Sequence, residues 1–594
     1  MMKNNILYLV VALIAPFAVH TVSAQDLDPT VEVNRDYEGK LLIVHKPILD
    51  MAVPDSVYRF DLDFDYSVTD TPYKGAYEFV PYSLDINLAP KHRDRGKLYL
   101  KAGAGYQLHP VFDLVWTPVF KNDFRLDVYG RNRSYLGNYW TMSSPDFTTE
   151  EIGIVDGDPG KEAWSGMDLS TSAGVAGRYD WKNAMMVFGA DYVNLLQSQK
   201  MDVYGLRVRS YNSVGLNLGV AAKDPHSVGL DYKVGLEYRY SDDLANDQVN
   251  GQAGLRSHDL DFGLNVESVL SGGHNMKIDA KFSMTDESGA FDVTAGALEF
   301  APRYVLKASR WHFDMGLRLS TVFRTDGKSF VYRYKEQVIY PDIRAEYMVS
   351  PEFLKVYASL GGGCEMNTYA SLVRDNRRLN FYYGRGVWDI LDVTEERLAA
   401  ELGFEGRITH RFGYTLKGGY KIYGNAPLQA LYIPSTGSGY LPALGYAPYQ
   451  IAYASMDFLF DSEPLRVDGN LEFNGVTSIV ESFTTLAGFV FPAPFKGDVE
   501  VMYDFKDRIY AGVDCEFSTA RDGRAYRQSK EGSSTDYMVT VPGYADLGVS
   551  LEYRCNNKMS FWARAGNLLG MTIQRELLYA EKGPYFTAGI CLNL

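Results

Sequence analysis

Apolar and polar residues alternate along most of this chain. From 228 to 240, Val228, Leu230, Tyr232, Val234, Leu236, Tyr238 and Tyr240 are interleaved with Gly229, Asp231, Lys233, Gly235, Glu237 and Arg239. Period two places the first set on one face of a strand and the second on the other. The same pattern returns at 276–284, 311–323, 465–473 and 545–553, and it runs through the last residues, 584–594, into the terminal carboxylate. These strands are often about 11–16 residues long, against about 5–6 in globular sheets. Tilted strands that cross a bilayer need about 9–11 residues in its core.

Tight turns punctuate the pattern near 120–123, 179–184, 223–227, 271–274, 309–310, 349–352, 409–411, 461–464, 506–508 and 556–558. Longer loops fall between them, at 136–163, 365–392 and 425–447. Each turn joins two strands. One strand precedes them at 97–107 and one follows at 584–594. The expectation is an all-β fold, a large closed antiparallel transmembrane β-barrel of about 22 strands, within a range of about 18–24. The last strand should pair with the first, because an open edge leaves backbone groups unpaired in lipid. In this reading Leu236 faces lipid and Glu237 the lumen.

Composition supports a membrane barrel and removes other classes. The chain carries 44 Tyr and 55 Gly, is 14% aromatic and only 22% charged, and has a net charge of −15. Nucleic acid is a poor partner for such a surface, since phosphate binding needs clustered Lys and Arg. Residues 1–24 read as a secretory signal peptide, with Lys3, an apolar stretch from Ile6 to Val19, and small residues before Gln25. That stretch is shorter than the ~20 residues a spanning helix needs. Cys364, Cys515, Cys555 and Cys591 are far apart and form no CxxC pair, so neither zinc nor a disulfide framework is indicated, and four free thiols are expected. The domains are then 1–24 as leader, 25–96 as an extended periplasmic or lumenal segment, and 97–594 as an outer-membrane barrel.

The C-terminal stretch "ARAGNLLGMTIQRELLYAEKGPYFTAGICLNL" resembles the closing signature of TonB-dependent receptor barrels. Asn567-Leu568-Leu569 ends the penultimate strand, Tyr579 lies in the last loop, and Gly583-Pro584-Tyr585-Phe586 opens the final strand. The resemblance covers 97–594. It implies an outer-membrane transport barrel that takes up a solute from outside a Gram-negative cell. Two features depart from the family. Leu594 stands where members usually end on an aromatic residue, and about 72 residues, 25–96, precede the barrel where the family carries a much longer lumenal plug. "DPTVEVN", 28–34, is loosely like the short segment that the TonB protein grips. The alternative reading is a plugless scaffold barrel that binds a partner protein, such as a separate plug or a surface lipoprotein. The partners expected are therefore outer-membrane lipid, a lipoprotein or separate plug, and TonB.

Motifs suggestive of enzymes have ordinary readings here. "HRD" at 92–94 and "DFG" at 261–263 lie far beyond kinase spacing, and Asp261 sits within an alternating strand. "DGDPG" at 156–160 lacks the rest of a calcium loop, and Asp61, Asp63 and Asp65 read as a solvated strand face. His312 and Asp314 share the polar face of one strand and read as solvated neighbours on the lumen wall. The chain reads as a non-enzyme without cofactor. Candidate ligand or partner contacts lie in the aromatic and Arg-rich loops: Tyr369, Arg374, Arg377, Arg378, Tyr382, Tyr383, Trp388, Tyr432, Tyr440 and Tyr446. Such side chains combine large contact area with polar handles.

Overall fold

The computed structural model describes residues 97–594 apart from 121–122, 143–158, 202–204, 224–228, 248–250, 269–271, 290–291, 327–337, 352, 380–390, 433–440, 480–486, 529–533 and 577–578. The leader, the segment 25–96 with its aspartates and its 28–34 motif, and most of "DGDPG" lie outside the described residues. So do Tyr382, Tyr383, Trp388 and Tyr440.

The strands are β1 (Leu98–Tyr106), β2 (Val111–Trp116), β3 (Phe124–Met142), β4 (Pro159–Asp180), β5 (Ala184–Met201), β6 (Gly205–Ala222), β7 (Leu230–Asp247), β8 (Gly251–Ser268), β9 (His274–Gly289), β10 (Val293–Ala308), β11 (Trp311–Asp326), β12 (Val338–Ser350), β13 (Leu354–Met366), β14 (Val393–Thr409), β15 (Phe412–Tyr432), β16 (Leu441–Ser462), β17 (Leu465–Ile479), β18 (Ala487–Val490), β19 (Phe495–Phe505), β20 (Ile509–Ser518), β21 (Arg521–Gln528), β22 (Ser534–Val541), β23 (Tyr544–Asn556), β24 (Met559–Gly566) and β25 (Tyr585–Asn593). β1 to β17 follow one another around a ring that continues through β19, β20, β23, β24 and β25 and returns to β1. That ring is a closed antiparallel barrel of 22 strands. The ten tight turns read in the sequence all fall at one end of the barrel, where both barrel termini also lie. In an outer-membrane barrel this is the periplasmic end.

The final strand is not an edge. Tyr99 lies opposite Asn593, and the register runs to Tyr106 opposite Phe586. Leu98 N–H donates to Leu594 O and Leu594 N–H to Leu98 O, each at 2.8 Å. Glycines let the backbones approach at this seam. A Cβ on Gly105 would lie 1.8 Å from the Phe586 carbonyl, and one on Gly589 1.9 Å from that of Ala102.

The strand faces follow the period-two reading. Leu236 is 44% exposed on the outer face, beside Leu216, Leu218 and Phe262 from the adjoining strands. Glu237 points inward, where Arg239 Nη2 donates to its Oε1 at 3.2 Å and Arg239 Nη1 to Asp191 at 2.9 Å. Similar pairs line the lumen elsewhere, among them Arg344–Glu346 at 2.6 Å and Arg564–Asp514 at 3.1 Å. Asp261 lies within β8, and His312 Nε2 sits 2.9 Å from Asp314 on β11. All four cysteines are free, and β24 separates the strands carrying Cys555 and Cys591.

Two outer connections are shorter than the sequence suggested. β3 and β4 keep pairing to Met142 and Pro159, and β15 and β16 to Tyr432 and Leu441. Much of 136–163 and 425–447 is therefore hairpin rather than loop. For β15 and β16 the reason is packing beyond the membrane. Ala426, Leu428, Ala447, Tyr449, Ile451 and Phe489 form a buried cluster that rewards continued pairing. β18 supplies Phe489 by pairing with 429–432 of β15, and it touches β21, which forms a hairpin with β22. These three strands stand outside the ring.

Candidate functional site

Two outer loops fold into the barrel mouth. The first links β13 to β14. Its ends are clamped by Asn367, whose Nδ2 donates to Asp392 O and Thr394 Oγ1, both at 3.0 Å. Helix α1 (Tyr369–Asp375) follows, with Thr368 as N-cap accepting from Ser371 N at 3.2 Å. A seven-residue helix is marginal alone, so its stability comes from the face it buries. Leu372, Val373 and Leu379 pack with Leu195, Tyr211, Leu255 and Leu444 of β5, β6, β8 and β16.

A buried ion pair fixes the same contact. Arg209 of β6 is 1% exposed and donates twice to Asp243 Oδ2 of β7, at 2.8 and 2.6 Å. Its Nη1 also donates to the Arg377 carbonyl at 2.9 Å, and its Nη2 to Tyr369 Oη at 3.3 Å. Tyr369 in turn donates to Asp243 Oδ2. Burial, with the Asp243 carboxylate beside it, pushes the Tyr369 phenol well above its usual range, so it remains a donor. A buried pair is stable only when further hydrogen bonds complete both partners. Here the loop supplies two of them.

The second loop links β24 to β25. It starts at Asn567, whose φ of 48° is a left-handed conformation that Asn tolerates. Asn567 Oδ1 accepts from Met571 N at 3.0 Å. Arg575 then reaches Glu516 at 2.9 Å and Asp546 at 2.8 Å. Gln429 Nε2 donates to Glu576 Oε2 at 2.9 Å, and Arg521 Nη2 to the Arg575 carbonyl at 3.1 Å. Lys582 Nζ lies 3.0 Å from His109 Nε2, whose Nδ1 is 2.8 Å from Thr587 Oγ1. Burial, then the Lys582 charge, lowers His109 to about 4, so its neutral ring accepts from Lys582.

Arg378 joins the two loops. Its guanidinium lies 5.5 Å from the Tyr579 ring of the second loop and 5.7 Å from the Tyr139 ring of β3. It also pairs with Asp168 of β4 at 3.4 Å and donates to Ser198 O at 3.5 Å.

The sequence candidates thus divide. Tyr369 and Arg378 are buried and hold the first loop against the wall, and Tyr446 packs half-buried beside the same cluster. Arg374 and Arg377 are exposed, and Tyr432 ends β15. The wall partners Arg209, Asp243, Asp168 and Tyr139 were not singled out from the sequence. Their one signal was inward strand parity, which every lumen residue shares. Among the described residues, no group of three or more His, Cys, Asp or Glu is arranged to hold a metal ion.

Solved structures with the same architecture are named as metal transporters and siderophore receptors. The FrpB iron transporter from Neisseria meningitidis aligns with a TM-score of 0.58 at 10% identity, covering 84% of this chain and 81% of that one. A mutant of the ferric enterobactin receptor PfeA from Pseudomonas aeruginosa gives 0.60 at 12%, covering 84% and 80%. The copper transporter OprC gives 0.58 at 11%, with the same coverage. The chain has the barrel fold of the TonB-dependent receptors. No family model matches its sequence, and no curated protein does. The two inward loops stand at the barrel end opposite both barrel termini.

Proposed function

We propose that this protein takes up a solute across the outer membrane, with the β13–β14 and β24–β25 loops as the closure of its outer mouth. The observation that carries the reading is that closure: two loops folded inward, fastened to opposite wall segments and joined through Arg378. A 22-strand barrel encloses a lumen wide enough to need filling. Its structural neighbours are named as iron, ferric enterobactin and copper transporters or receptors, which supports transport without naming this chain's solute. Energy coupling through TonB would act from the periplasmic end, on the segment before β1. A separate plug or a lipoprotein would complete the closure if that segment does not.

Planar-bilayer conductance tests the reading, with intact protein, a variant lacking 25–90, and one with 369–391 replaced by a short Gly–Ser linker. Low conductance that rises sharply in either variant supports a gated transport barrel. High conductance in the intact protein moves the assignment to a scaffold whose lumen is filled by a partner. Low conductance unchanged in both variants removes the loop and the segment as closures.

A further inference from the structure

Beside the helix contact, the inner faces of β8 and β9 carry a block of buried oxygen ligands. Ser257 lies opposite Glu287, and Asp259 opposite Thr285. All four are at most 3% exposed. Asp259 Oδ1 accepts from Ser257 Oγ at 2.7 Å and from Thr285 Oγ1 at 2.5 Å. Its other oxygen, Oδ2, is buried without a hydrogen-bond partner, and so is Glu287 Oε1. The two carboxylates occupy a cross-strand diagonal, about 7–8 Å apart at Cα, so side chains of this length can converge on one ion.

Arg324 and Arg239 act on Glu287 and Asp259 through their charge, with no hydrogen bond to either carboxylate. Arg239 pairs with Asp191 and Glu237, Arg209 with Asp243, and Arg324 Nη1 donates to the Leu391 carbonyl at 2.8 Å. Two buried carboxylates with unpartnered oxygens repel each other and lose hydration, and a bound ion removes both penalties. The donor set is wholly oxygen, two carboxylates and two hydroxyls, with neither His nor Cys. Hard cations take such ligands, and calcium accepts more of them with looser geometry than magnesium does.

We propose that a calcium ion binds between Asp259 and Glu287, with Ser257 and Thr285 as supporting ligands and water completing its shell. The site lies beneath the first loop's attachments. Leu255, two residues before Ser257, packs against α1, and Leu391 and Val393 at the loop's far end pack on Ala295 and Ala297 of β10. Calcium would therefore stiffen the wall to which the closed loop is fastened. This assignment does not depend on the transported solute.

The test is calcium titration of the full chain, purified in detergent and stripped with chelator, by calorimetry. One equivalent per chain is expected. Glu287→Gln and Asp259→Asn should each weaken it more than tenfold, while Glu365→Gln, an exposed carboxylate, leaves it unchanged. Heat-modifiable gel migration shows which variants keep the barrel. As a second readout on the wild type alone, chelation should speed tryptic cleavage after Arg374 or Arg377. No calcium uptake by the wild type, equal uptake by a folded Glu287→Gln protein, or stronger uptake of magnesium would each overturn the assignment.

Discussion

The barrel is tall on one side and low on the other. β3 to β8 are 18–22 residues long, whereas β1, β2, β24 and β25 at the seam have only 6–9. A tilted strand needs about 9–11 residues to cross the lipid core. The seam therefore barely spans, while the tall flank rises well above the membrane. That extra height changes how a loop can be held. Above the lipid, the inward face of the tall wall presents Leu195, Tyr211 and Leu255, and the first loop is fastened there by aliphatic packing around a fully buried ion pair. The low flank offers no such wall. The second loop lies over it on a polar network, with Arg575, Glu576, Lys582 and His109 as its main contacts and Ile573 as its one fully buried aliphatic side chain among the described residues. The first fastening combines aliphatic packing with a buried ion pair. The second is made of groups that titrate.

The largest expected effect tests that difference directly. Asp243→Ala leaves Arg209 buried without its partner, a change that costs about 3–5 kcal/mol at such sites. The barrel should survive, because the loop can open and let water reach Arg209. Limited trypsin digestion should then cut at Arg374 or Arg377 while heat-modified migration persists. Asp546→Ala on the low side leaves Arg575 its Glu516 contact and should cost about 1 kcal/mol. Equal protease sensitivity of the two loops in the two variants would break the comparison.

A smaller effect checks what the two flanks share. Leu236 on the tall side and Leu551 on the low side are both exposed outward, at 44% and 49%. Arg at either position should cost roughly 2–4 kcal/mol if it meets the lipid midplane. Glu237→Arg, one residue along and facing the lumen, should cost far less in the same urea titration from vesicles. A low cost for Leu551→Arg alone would mean that the low flank around β23 sits outside the lipid.

The fold was readable because it rests on a repeated local rule. Period two and ten short turns suffice to count strands, and the alternation into Leu594 announced a closing strand. The outer closure was less readable for a physical reason. Arg209 and Asp243 have the same inward parity as Arg239 and Asp191, and only the loop that lands on the first pair distinguishes them. Tyr369 and Arg378 were singled out as contact residues of the loops, but which contacts they make depends on a wall more than a hundred residues away in the chain. Asn367 and Thr368, which clamp and cap the loop, are short polar residues of a kind that occurs in any turn. In 425–447 Pro427 and Gly445 interrupt the strand pattern, although pairing passes through both.

The smallest expected effect concerns the pH response of the second loop. Burial raises Glu576 to about 7 against the partial opposition of Arg521. A carboxyl raised above its ordinary 4.5 binds more protons in the packed state than in the open one. Its contribution is full below about 4.5 and is lost as pH rises through about 7. His109 acts in the opposite sense. Its packed-state value of about 4 lies below the ordinary 6.5, so its contribution is full above 6.5 and is lost as pH falls toward 4. Lys582, lowered by burial to about 8, is charged in both states below pH 7 and adds no slope there. The two opposing slopes overlap between about pH 5 and 6.5 and should leave the wild-type loop nearly flat in that range. Removing either group exposes the other. Hydrogen exchange at the amides of 571–576, corrected for the intrinsic rate, should show protection rising with pH in Glu576→Gln and falling with pH in His109→Gln. Each change should be about tenfold over one to two pH units. Neither substitution should change the pH response of the first loop, and a matching change there would mean that the two closures move as one body through Arg378.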